Sequence, residues 1–142
     1  MTIPFLELIK GEFDSERKIL HLTAREKLVV ETRAELNELC AAVTTVIKHH
    51  SKGERIYMIV DLAKFVIEPY LNEDYAKKIK SIYENYLLTN GLLRYGLGIT
   101  RVTIKLGHAG YLDSDPNLFK TKKEAFAHVD KLITQMTTPV RI

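Results

Sequence analysis

Ile56-Tyr57-Met58-Ile59-Val60-Asp61 is the stretch on which the fold turns. Five consecutive apolar or aromatic side chains precede the aspartate, so the run is apolar on both faces instead of alternating. That pattern suits a central strand covered on both sides, as in a parallel sheet flanked by helices. Leu92 to Ile99 reads as a second such strand, with Gly96 and Gly98 small enough for a helix or ligand to approach the backbone. These two segments are expected to lie side by side at the heart of one sheet.

The segments around them read as helices and short strands. Thr32 with Glu35 three residues on is a capping-box pattern, and Leu36, Leu39, Cys40, Val43, Val46 and Ile47 then follow at three-and-four spacing, predicting a helix to about His50. Asn72 is the expected cap of a second helix whose stripe is Tyr75, Ile79, Ile82, Tyr83, Tyr86 and Leu87, stopped at Asn90-Gly91. Thr121 with Glu124 repeats the capping pattern before a last helix carrying Ala125, Phe126, Val129, Leu132 and Ile133, preceded by a short strand at Asn117-Leu118-Phe119. Residues 101–112 are ambiguous, with a slight lean to helix. At the front, Phe5 to Lys10 and Lys18 to Leu22 read as strands of a hairpin turning through Gly11 to Glu16, and Lys27 to Glu31 as a third strand or strand edge. Alternating strands and helices behind a hairpin predict a single α/β domain over residues 1–142, with a mixed, mostly parallel sheet and helices packed on it.

The totals narrow the class. With 142 residues, 46% of them apolar and 27% charged, the chain has globular values and can bury one core, so disorder is not expected. No basic-then-apolar leader and no uninterrupted apolar run of roughly 18 residues occurs, which disfavours secretion and a membrane span. Cys40 is the single cysteine, excluding an intrachain disulfide, and a cytoplasmic location is expected. Residues 1–71 hold ten Lys/Arg against eleven Asp/Glu and residues 72–142 eleven against seven, so −1 and +4 sum to the net +3. Such an excess is too small for a nucleic-acid binder, which must neutralise many phosphates at once.

The order of elements, with Ile59-Val60-Asp61-Leu62 closing the middle strand and Asn117-Leu118-Phe119-Lys120-Thr121-Lys122-Lys123-Glu124-Ala125 entering the last helix, resembles the STAS and SpoIIAA-like domain family. The resemblance implies that fold, and binding and regulation in place of catalysis. Anti-anti-sigma members of the family carry a phosphorylatable serine at the start of the helix after the middle strand. Here the corresponding stretch, Phe65-Val66-Ile67-Glu68-Pro69-Tyr70-Leu71-Asn72, has neither Ser nor Thr, so the phosphoswitch does not carry over. Relatives of the SpoIIAA-like type are also similar in shape to lipid-carrying domains, which keeps an apolar ligand in view.

Candidate side chains are few. Asp61 ends a buried strand, the edge where open α/β sheets place ligands, although an aspartate there also commonly caps the next loop. Lys122 and Lys123 follow the Thr121 cap, where positive charge opposes the helix dipole, and with Arg94, Arg101, Lys105 and Lys120 they point to an anion or an acidic protein surface. Tyr70, between the middle strand and the second helix, completes the set of candidate ligand- or partner-binding residues: Asp61, Tyr70, Arg94, Arg101, Lys122 and Lys123. No catalytic residue is assigned, because no nucleophile or second carboxylate stands at a readable distance from Asp61. No cofactor or metal is expected: among five histidines only His49 and His50 are neighbours, and adjacent helical side chains diverge. The expected role is a non-enzymatic regulatory domain with a protein partner. A carrier of an apolar or amphipathic small molecule, held between the sheet and the Tyr75-to-Leu87 helix, is the alternative, and the tyrosines of that helix would also suit a homodimer contact, with plain core packing as the simpler reading.

Overall fold

A computed structural model describes residues 4–96 and 117–137. Its five-stranded sheet has the order β1 (Ile9–Asp14), β2 (Ile19–Ala24), β4 (Tyr57–Asp61), β6 (Leu93–Tyr95) and β7 (Leu118–Phe119). β1 pairs antiparallel with β2, and every other pairing in this sheet is parallel. The mixed, mostly parallel sheet with a front hairpin is thus present, and β4 lies at its centre next to β6. Tyr57, Met58, Ile59 and Val60 are all buried because both faces of β4 are covered.

Alternation along the strands divides the interior in two. Leu20, Leu22, Met58 and Val60 face α2 (Arg33–Ser51) and α3 (Asn72–Tyr86), whereas Ile19, Tyr57, Ile59, Leu93 and Tyr95 face Ala125 and Val129 of α4 (Lys122–Thr137). A second, two-stranded sheet joins β3 (Leu28–Val30) to β5 (Phe65–Ile67) in parallel register, and its Leu28, Val30, Phe65 and Ile67 close the larger core.

The capping box of α2 is formed as the sequence suggests: the Glu35 amide donates to Thr32 Oγ1 (3.1 Å), and Glu35 Oε1 accepts from the Thr32 amide (3.1 Å). Each contact satisfies an amide that the first turn leaves without a helical partner. Thr32→Ala is expected to lower stability by about 0.5–2 kcal/mol in a urea titration. Lys52 (φ 51°) and Gly53 (φ 88°) end this helix in the left-handed region.

Three local expectations are corrected. Phe5 to Lys10 is not a strand: Phe5–Leu8 is a single helical turn, α1, held by the Phe5 amide donating to Glu38 Oε2 (2.8 Å), and the strand starts at Ile9. The hairpin turn is Ser15 to Lys18, organised by Asp14, whose carboxylate accepts the Glu16 and Arg17 amides at 3.0 and 3.2 Å and the Arg17 Nε at 2.7 Å. Gly11 lies inside β1 because α2 crosses there: a Cβ would stand 2.8 Å from Val46 Cγ1.

The Phe65-to-Asn72 stretch holds β5 and a 3-10 turn at Pro69–Leu71. Second, Asn72 does not cap α3. The 3-10 turn runs straight into the helix, so Asn72 is its first residue, with Oδ1 buried and lacking a hydrogen-bond partner among the described residues. Third, α3 ends before Leu87, well short of Asn90-Gly91. Leu87 turns extended and enters the core, and its neighbours exchange backbone hydrogen bonds with Ile56, which accepts from Leu88 N (2.9 Å) and donates to Tyr86 O (3.2 Å). Gly91 packs instead against the Asn117 side chain. Gly98, the end of the Leu92-to-Ile99 strand and the 101–112 segment lie outside the described residues.

Candidate functional site

The carboxyl ends of the parallel strands gather the polar groups. Asp61, last residue of β4, opens into a cleft lined by Lys10, Thr23, Ala24, Arg25 and Lys64. Its Oδ1 accepts the Ala63 amide at 2.9 Å, so the carboxylate does cap the following loop. Thr23 reaches the cleft because it pairs with Lys10 across the hairpin, and Lys64 is placed by donating its Nζ to Arg25 O (3.2 Å). Three cationic side chains therefore rim an open depression containing a single carboxylate.

Behind Asp61 lies a polar pair that sequence reading misses. His21 of β2 and Tyr95 of β6 flank β4, and their side chains meet over it with Nε2 2.7 Å from Oη. Burial above all, with the Asp61 charge and hydrogen bonding to its carboxylate, pushes the Tyr95 hydroxyl up to about 12. Burial, aided by the Lys122 charge, lowers the His21 imidazole below its ordinary value. Both groups are neutral at pH 7. A protonated phenol sharing a hydrogen bond with a neutral imidazole is a packing device more than an acid–base couple. Strand order is what brings residue 95 to His21.

Lys122 belongs to a second cleft, with Glu12, Phe13, Asp14, Arg17, Ile19, His21 and Phe126. Its ammonium stands 5.7 Å from the Phe126 ring centroid, while the Glu12 carboxyl is held below the usual range mainly by Lys10. The conflict with the helix dipole is thus eased within the chain by the Phe126 ring. Lys123 is exposed. Tyr70, 64% exposed, donates its hydroxyl to Glu31 O and ties the 3-10 turn to the end of β3. Arg94 pairs with Val60 across the sheet, opposite in facing to Asp61 and Tyr95, and its Nη1 donates to Leu92 O (2.8 Å). Neither Tyr70 nor Arg94 lines the Asp61 cleft. Arg101 lies outside the described residues.

Space between the sheet and α3 is scarce. The apolar cavity there, bordered by Leu22, Cys40, Met58, Phe65, Tyr75 and Ile79 among others, holds about 40 Å³. Burial raises the Cys40 thiol, the reverse of what a nucleophile needs. His50 stacks on Phe13, with ring centroids 5.5 Å apart. Among the described residues, no three His, Cys, Asp or Glu side chains converge on a point a metal ion could occupy, and no helix is long and apolar enough to cross a membrane.

An antiparallel hairpin leading into a parallel sheet, α2 and α3 on one face and α4 on the other, with a polar strand end at Asp61, is the STAS or SpoIIAA-type α/β fold. The structural comparison agrees. The crystal structure of an anti-sigma factor antagonist from Mycobacterium paratuberculosis superposes with a TM-score of 0.52 and 16% identity, over 86% of this chain and 94% of that one. At that identity the likeness establishes the fold. No family model matches the sequence, and no curated protein matches it by sequence.

Proposed function

We propose that residues 1–142 form one STAS-like regulatory domain that acts by binding a protein, without enzymatic activity and without a phosphorylatable serine, in the cytoplasm. The observation that carries this reading is a filled interior beneath an open, basic-rimmed strand end. The 40 Å³ cavity is far below the roughly 150 Å³ that admits benzene, so an acyl chain would have to force the helices apart. By contrast Lys10, Arg25 and Lys64 around Asp61 offer a surface complementary to an acidic partner, which is how charged rims steer association. The Phe65-to-Asn72 stretch, lacking Ser and Thr, speaks for constitutive or otherwise controlled binding. The structural neighbour is an anti-sigma factor antagonist, which fits a protein target for this chain.

Native mass spectrometry of the purified chain should record the bare polypeptide, and Arg25→Glu with Lys64→Glu should weaken cross-linked partner capture about tenfold while leaving the thermal midpoint close to wild type. A co-purified apolar molecule, or capture untouched by reversing both charges, would overturn the reading in favour of a carrier.

A further inference from the structure

Among the described residues, β1 is the longest sheet edge without a paired strand on its outer side. Its inner side pairs with β2. Such an edge presents unpaired backbone amides and carbonyls to any extended chain, and natural proteins usually blunt it with lone lysines or prolines. β1 carries a different pattern. Ile9-Lys10-Gly11-Glu12-Phe13 reads apolar, positive, glycine, negative, apolar, so it is its own complement when reversed about Gly11.

We propose that the chain self-associates through this edge, two copies pairing β1 with β1 antiparallel about a twofold axis at Gly11. The register then sets Lys10 of one copy opposite Glu12 of the other, twice, and Ile9 opposite Phe13, twice. A twofold contact of this kind uses the same patch on both copies, and the two five-stranded sheets become one of ten. Within one chain Lys10 Nζ and Glu12 Oε1 already stand 2.9 Å apart with their side chains 49% and 62% exposed. An exposed pair of this sort contributes little, so exchanging it for the cross-copy pairs costs little and adds the strand hydrogen bonds. Gly11 keeps the axis free of side chains while Val46 and His50 of α2 cover it from one face, and the half-buried Phe13 ring stacked on His50 gains cover from the second copy. The contact is short, which fits a concentration-dependent dimer more than a permanent one. It shares Lys10 with the partner reading above but is tested apart from it, since that test reverses Arg25 and Lys64 and leaves β1 untouched.

Sedimentation velocity on the full chain over a concentration series tests it. The wild type should shift from monomer to dimer as concentration rises. Lys10→Glu sets glutamate against glutamate twice and Glu12→Lys sets lysine against lysine twice, so each should weaken the dimer about tenfold or more. The double variant Lys10→Glu/Glu12→Lys restores both pairs and should dimerise within about threefold of wild type, and an equal mixture of the two single variants should form a heterodimer that neither makes alone. Circular dichroism confirms that each variant keeps the fold. A chain monomeric at every concentration, or a dimer indifferent to these reversals, overturns the proposal.

Discussion

Ile59→Ala is expected to lower the unfolding free energy by about 2–5 kcal/mol, read as a fall in the urea midpoint with an unchanged slope. Ile59 is fully buried, sits at the centre of β4 opposite Leu93 on β6, and packs beneath Ala125 and Val129 of α4. Removing its branches leaves a void that cannot collapse, since the sheet on one side and α4 on the other are each held by further contacts. A domain of this size has only about 5–15 kcal/mol to lose, so the change is a large share of the total. Leu88→Ala, at a residue 41% exposed, should stay within about 0.5 kcal/mol and serves as the control. A loss below about 1 kcal/mol for Ile59→Ala would mean that β4 is not the centre of the structure.

Tyr95→Phe should cost about 1–3 kcal/mol, because it deprives the buried His21 imidazole of the hydroxyl 2.7 Å away and the aromatic ring alone cannot replace that bond. The same pair sets a pH dependence. The folded His21 value lies below the unfolded one, near 6.5, so below that pH the unfolded chain binds the extra proton first. The stability contributed by the neutral imidazole is whole above about pH 6.5 and is lost as the pH falls through the lowered folded value. His50, also lowered by burial and then by His49, acts in the same window. Depressed carboxyls such as Asp14, held down by Arg17, act lower, below the ordinary aspartate range. Urea titrations at pH 7.5 and 5.5 separate these contributions. His21→Gln should flatten the difference more than His50→Gln does, as His21 is 9% exposed and His50 only half-buried. Equal slopes in the two variants would assign the pH response elsewhere.

Much of the fold was legible because it rests on patterns that repeat over several residues. The doubly apolar Ile56-to-Val60 run, the stripes of α2 and α4 and the two Thr–Glu caps each specify an element through side chains close in sequence. The errors fell where one distant contact overrides local preference: Glu38 winding Phe5–Leu8 into a turn, α2 requiring a glycine inside β1, Ile56 pulling Leu87 out of its helix.

The candidate site was less legible still. Asp61 could be named because a strand end is a recognisable place, yet Lys10, Arg25 and Lys64 come to it from three separate segments, and Tyr70 and Arg94 turn elsewhere. By itself the sequence determined the long helices, the central strands and which of their faces are apolar, since periodicity and capping act over a few residues. The strand order, and with it the meeting of His21 with Tyr95 and the ring of cations around Asp61, was decided by tertiary structure, because burial rewards apolar area without regard to which distant segment supplies it.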